Sequence, residues 1–121
     1  MSAAQRFEPS DLDDLLSTEA AGAEGLIAWL IDDFSAHVET HLHDIEKAER
    51  SGDANELKRQ AHSLKSSTRA LGLRAASELC REIETLARAG VFDPSFSQAL
   101  RAEIPLAILE LNKFLNASKK A

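Results

Sequence analysis

The sequence has no tyrosine, one cysteine, three prolines and five glycines among 121 residues. So few turn-forming residues cannot punctuate many short strands, which points away from β folds and toward helices. The lone Cys80 excludes an internal disulfide framework. No apolar run approaches the roughly 20 residues of a membrane span. The opening stretch MSAAQRFEPS lacks the charged-then-apolar layout of a signal peptide. Together these absences predict a cytoplasmic chain with no membrane segment. Excess positive charge is missing too, and a net charge of −6 argues against general nucleic-acid binding. There is no Gly-rich phosphate loop and no room for an ATP-binding domain. What remains is 44% hydrophobic and 28% charged, ordinary for one globular domain with one modest core.

The periodicity predicts an all-α fold. One domain covers residues 1–121, with 1–9 a polar lead-in and 116–121 a frayed tail. Ser10 is expected to cap a short helix reaching about Thr18, with Asp11, Asp13 and Asp14 complementing its dipole. From about Glu24 to Arg50, Ile27, Leu30, Ile31, Phe34, Val38, Leu42 and Ile45 recur at helical steps. Asp53 and Glu56 form a start signal resembling a capping box. The next stripe, Leu57, Ala61, Leu64, Thr68 and Leu71, has the spacing of a bundle seam. Gly72 and Gly90 sit where left-handed helix caps belong, each followed by an apolar residue, Leu73 and Val91. Between them run Ala76, Leu79, Cys80, Ile83, Leu86 and Ala87. Pro94 suits the first turn of a last helix carrying Phe96, Leu100, Ile104, Ile108, Leu111 and Leu115, with a kink or break expected at Pro105. Short connections make an antiparallel up-down four-helix bundle, plus a short N-terminal helix, the economical arrangement.

The stretch AHSLKSSTRALG, Ala61–Gly72, carries the chemistry. His62 lies about 100° off the seam. Steps of three and four from it bring Lys58, Arg59, Lys65, Ser66 and Arg69 to the same face. No acid interrupts residues 57–77. The surrounding cations are expected to lower the pKa of His62 and keep the imidazole neutral. A neutral, exposed imidazole beside an ammonium suits attack on phosphorus.

AHSLKSSTRALG resembles the signature of histidine-containing phosphotransfer (HPt) domains, roughly His-x-Leu-Lys-Gly/Ser-Ser-x-x-x-Leu-Gly. LCREIETLARAG, Leu79–Gly90, is similar to the segment that follows it there. Ser66 departs from the glycine most common after the lysine. The resemblance implies phosphorylation of His62 on Nε2 by a receiver domain's aspartyl phosphate, and transfer to another receiver. Lys65 would stabilise the phosphoryl group, and Ser66 would give clearance for the docking receiver. Lys58, Arg59 and Arg69 would belong to the docking face, and an exposed apolar rim near His62 would meet the receiver's first helix. No cofactor or metal belongs to such a domain, since the Mg²⁺ is the receiver's. Receivers, including those of a hybrid histidine kinase, are the implied partners of a monomeric carrier without kinase activity. The initiating Met and short length favour a free-standing protein over an excised domain.

Several other readings compete. His37, His41 and Asp44 have metal-ligand spacing on one helix, with His43 on another face, but no partner ligands stand out on a neighbouring helix. Cys80 reads as a small core residue, and Trp29 as packed against the N-terminal helix. A histidine-kinase dimerisation helix would carry an acid directly after the histidine, where this chain has Ser63. A helical adaptor without chemistry explains the bundle but not the basic, small-residue collar of His62.

Overall fold

The structure, a computed structural model, describes residues 5–120, with side chains to 117. The outermost residues of the expected lead-in and tail, 1–4 and Ala121, lie outside the described residues. A 3-10 turn, Pro9–Leu12, leads into α1 (Asp13–Ala20). Four long helices follow: α2 (Leu26–Ser51), α3 (Ala54–Ala70), α4 (Arg74–Arg88) and α5 (Pro94–Lys120). Consecutive long helices pack side by side, most extensively α3 on α4, and α2 closes the ring against α5. Contacts between helices fix their antiparallel sense. His41 meets Gln60, Lys65 meets both Ser77 and Glu84, and Glu49 and Glu46 meet Ser97 and Arg101.

The seam of α3 is buried as the spacing predicts: Leu57, Ala61, Leu64, Thr68 and Leu71 are all at most 3% exposed. Thr68 fits there because its hydroxyl donates back to the Leu64 carbonyl at 2.8 Å. Cys80 is fully buried on α4, and burial pushes its thiol up to about 12, so it is an inert packed side chain.

Caps set the ends. The Asp53 carboxylate accepts from the Glu56 N–H at 3.1 Å. The reciprocal half of the expected capping box does not form, because the Asp53 N–H donates to the Ala48 carbonyl and Glu56 turns to Arg59 and Gln60. At the α3–α4 corner Gly72 has φ +75°, and the Leu73 N–H closes onto the Thr68 carbonyl at 2.9 Å. A Cβ on Gly72 would lie 2.7 Å from the Glu8 carbonyl oxygen. Glycine is therefore needed there both for the dihedral and for the close pass of the chain.

Several expectations are corrected. The first cap is Glu8, whose carboxylate accepts from the Ser10 N–H and hydroxyl, rather than Ser10 itself. Asp11 does more than complement a dipole: it takes a two-point contact from Arg74 at the start of α4. The end of the lead-in is strapped down, with Phe7 buried against Phe114 and the Glu8 N–H donating to the Gly72 carbonyl. α5 runs unbroken through Pro105 and on to Lys120. Packing decides here: Ile104 and Ala107, on either side of the proline, are buried, while Pro105 faces outward. Val91 is 45% exposed, although its N–H closes onto the Leu86 carbonyl as in a capped end. Trp29 is 62% exposed, because α1 is too short to cover that face of α2.

Candidate functional site

His62 stands on the α4-facing flank of α3, with its side chain 60% exposed. Its Nδ1 lies 2.8 Å from Oε2 of Glu84, which rises from α4 and is itself 4% exposed. Lys65 donates to Oε1 of the same carboxylate at 2.6 Å, and Arg88 reaches Oε2 at 3.3 Å. One buried carboxylate thus gathers an imidazole, an ammonium and a guanidinium. Burial pushes the Glu84 carboxyl up. The hydrogen bonds from Lys65 and His62, with the charges of Lys65 and Arg88, outweigh that and hold it below its ordinary 4.5.

A charged carboxylate can only accept, so the His62 Nδ1 carries the hydrogen. In the neutral ring the lone pair then falls on Nε2, the atom turned away from Glu84. The charged group in direct contact with the ring is an acid, Glu84, rather than one of the cations of the ridge. The basic ridge is also partly compensated from outside the acid-free span. Glu56 engages Arg59 at 2.7 Å, Glu84 engages Lys65, and Asp11 engages Arg74. Among the described residues Lys58 forms no ion pair. Ser66 and Arg69 are exposed one and two turns beyond His62, and the Ser66 hydroxyl folds back toward the His62 carbonyl at 3.3 Å. The small collar around the ring is therefore open.

On the other flank of α3 a groove runs along α2, lined by Leu30, Phe34, His37, His41, Ala70 and Leu71. His41 donates through Nδ1 to the Gln60 side-chain oxygen at 2.9 Å, and His37 Nδ1 lies 2.7 Å from the Asp33 carbonyl oxygen. Asp44 joins neither contact, and no three His, Cys, Asp or Glu side chains are grouped to hold a metal among the described residues. No helix among them is long and apolar enough to cross a membrane.

The Hpt domain family model matches residues 30–117. The chain belongs to the Hpt domain family. Sensor protein TorS of Escherichia coli (strain K12) is 36% identical over 80 residues, 66% of this chain. The chain spans 8% of that relative's length. The crystal structure of histidine-containing phosphotransfer protein B (HptB) from Pseudomonas aeruginosa PAO1 aligns with a TM-score of 0.78. It is 23% identical and shares the fold over 91% of this chain and 94% of its own.

The residue that sequence reasoning missed in this Hpt domain is Glu84. A signal was present: Glu84 falls inside the buried face of α4, between Cys80 and Ala87 and next to Ile83. An acid on an apolar stripe announces a partner across the interface. Arg88, one turn further along α4, was missed with it.

Proposed function

We propose that His62 takes a phosphoryl group from the aspartyl phosphate of one receiver domain and hands it to the aspartate of another. The lone pair on Nε2 attacks phosphorus in line. The P–O bond to the donor aspartate breaks, that carboxylate leaves with the electron pair, and an N–P bond forms. The ring keeps its Nδ1 hydrogen and becomes cationic, and Glu84 stabilises that cation at hydrogen-bond distance. Transfer onward reverses these steps, with the ring leaving as neutral imidazole. The Mg²⁺ needed at the aspartate is held by the receiver. The observation that carries this reading is the His62–Glu84 contact, which selects the ring nitrogen that faces solvent.

The receiver docks over His62 and the open turn at Ser66, with Lys58, Arg59 and Arg69 at the margin. Its apolar helix rests in the groove between α2 and α3. The carrier works as a cytoplasmic monomer without kinase activity of its own.

Incubation with a phosphorylated receiver and Mg²⁺ tests the site. The wild type should gain an acid-labile, alkali-stable phosphate. His62→Gln should gain none and keep its helical circular dichroism, since the ring is exposed. Phosphate retained on His62→Gln sinks the assignment. Ser66→Arg should fold at least as stably, because arginine is the better helix former, yet transfer poorly. Misplacing the reacting groups by about 1 Å can cost on the order of a hundredfold. Transfer by Ser66→Arg at the wild-type rate would move the docking face elsewhere.

A further inference from the structure

His37 and His41 stand one helical turn apart on α2, and both rings line the α2–α3 groove. Each ring has one nitrogen already committed. The Nδ1 of His37 lies 2.7 Å from the Asp33 carbonyl oxygen, which can only accept, so this Nδ1 carries the hydrogen. His41 reaches the same state through a relay. The Glu56 carboxylate accepts from the Gln60 amide nitrogen at 2.8 Å, which turns the amide oxygen of Gln60 to the His41 Nδ1, 2.9 Å away. That oxygen also only accepts, so the His41 Nδ1 carries its hydrogen too. Gln60 is 8% exposed, and the relay is fixed inside the α2–α3 packing.

In both neutral rings the lone pair therefore falls on Nε2. Neither Nε2 has a hydrogen-bond partner among the described residues. An Nδ1–H donated to a carbonyl oxygen is the contact that orients a metal-ligating imidazole and raises the basicity of its other nitrogen. Histidines four positions apart on one helix face have the spacing of a helical zinc pair. Val38 follows His37, where a zinc protease would carry its general base, so the spacing points to binding and not to hydrolysis.

The surroundings suit a cation. Asp33 lines the same groove, with Oδ1 3.4 Å from the His37 Nδ1. Among the described residues, no lysine or arginine lines the groove. Its volume of about 280 Å³ holds an ion with several waters, at ~30 Å³ per water. Imidazole nitrogen selects zinc, nickel and copper, whereas Mg²⁺ takes oxygen ligands.

We propose that His37 and His41 bind a divalent transition metal of the zinc, nickel and copper class through their Nε2 atoms, with water in the remaining positions. A bound, hydrated ion fills the groove with charge and closes it to the receiver's apolar helix. The metal site stands on the two rings alone. The closure rests on the reading that the receiver docks in this groove.

The test titrates zinc chloride into the untagged protein by calorimetry, with no receiver present. One Zn²⁺ should bind per chain. His37→Ala and His41→Ala should each weaken binding at least about a hundredfold, because the second ligand binds intramolecularly once the first is engaged. The His37 side chain is 65% exposed, so His37→Ala should keep its helical circular dichroism, and a loss of binding there is not a loss of fold. His43→Ala, on another face of α2, and His62→Gln should bind as the wild type does. Absence of zinc binding, or binding that survives His37→Ala unchanged, overturns the site. In transfer from a phosphorylated receiver with Mg²⁺ present, added Zn²⁺ should slow the wild type and spare His37→Ala. Equal rates in both with zinc bound to the wild type overturn the closure. Phosphate on His62→Gln brings down the acceptor reading instead and leaves the zinc titration as it was.

Discussion

Glu84 on α4 and Glu49 on α2 both press against the bundle interior, yet the fold treats their charges in opposite ways. Glu84 has Lys65, His62 and Arg88 around it, and its carboxyl lies below the ordinary range despite burial. Glu49 has a neutral donor, the Ser97 hydroxyl at 2.7 Å. Burial pushes it up, the charges of Glu46 and Asp93 push it further, and the one hydrogen bond does not compensate. Burial alone therefore does not decide whether a carboxylate stays charged. The donors do, and here they gather where the chemistry is.

Removing a donor should break this contrast most sharply. Lys65→Met leaves Oε1 of Glu84 buried with no partner, and should cost about 2–3 kcal/mol of unfolding free energy. Urea melts measure it, and adding Glu84→Gln should recover part of the loss by discharging the pocket. A Lys65→Met protein within half a kcal/mol of wild type, by the same approximate scale, would mean that solvent reaches Glu84 freely.

The acid limb of stability sharpens the comparison further. Because the folded carboxyl of Glu84 lies below its unfolded value of 4.5, its stabilisation is complete above that pH and is lost as pH falls through the depressed value. The stability difference between wild type and Glu84→Gln should therefore shrink as pH falls below 4.5. A constant difference would show that Glu84 is not held charged.

The smallest effect belongs to Glu49, with the opposite sign. Its folded carboxyl lies above 4.5, so its stabilisation is present at low pH and fades as pH rises through the raised value. Glu49→Gln should gain a few tenths of a kcal/mol at neutral pH and nothing in acid. Melting curves at the two pH values check it.

The same contrast explains what could be read in advance. Helix stripes, the Gly72 corner and His62 follow from local spacing, since each depends on residues within a turn or two of itself. The seam residues Leu57 to Leu71 were legible for that reason. Glu84 was not, because its meaning comes from a helix packed across from it, 22 positions from His62 in the chain. The same is true of the compensated ridge, whose acids Glu84 and Asp11 lie on other elements. Trp29 failed differently: apolar spacing promised burial, but α1 supplies no buried residue of its own to cover it.

Cys80 adds a use that has nothing to do with relay chemistry. It is the one thiol in the chain, fully buried one helical turn before Glu84, with a thiol pushed up to about 12. An alkylating reagent can reach it only when the helices packed around α4 part, and the labelling rate then counts those openings directly. Because the floor of the His62 site is built on the same turn of α4, the lone sulfur serves as a built-in clock for how often that floor comes apart, with no probe attached to the surface that the receiver must touch.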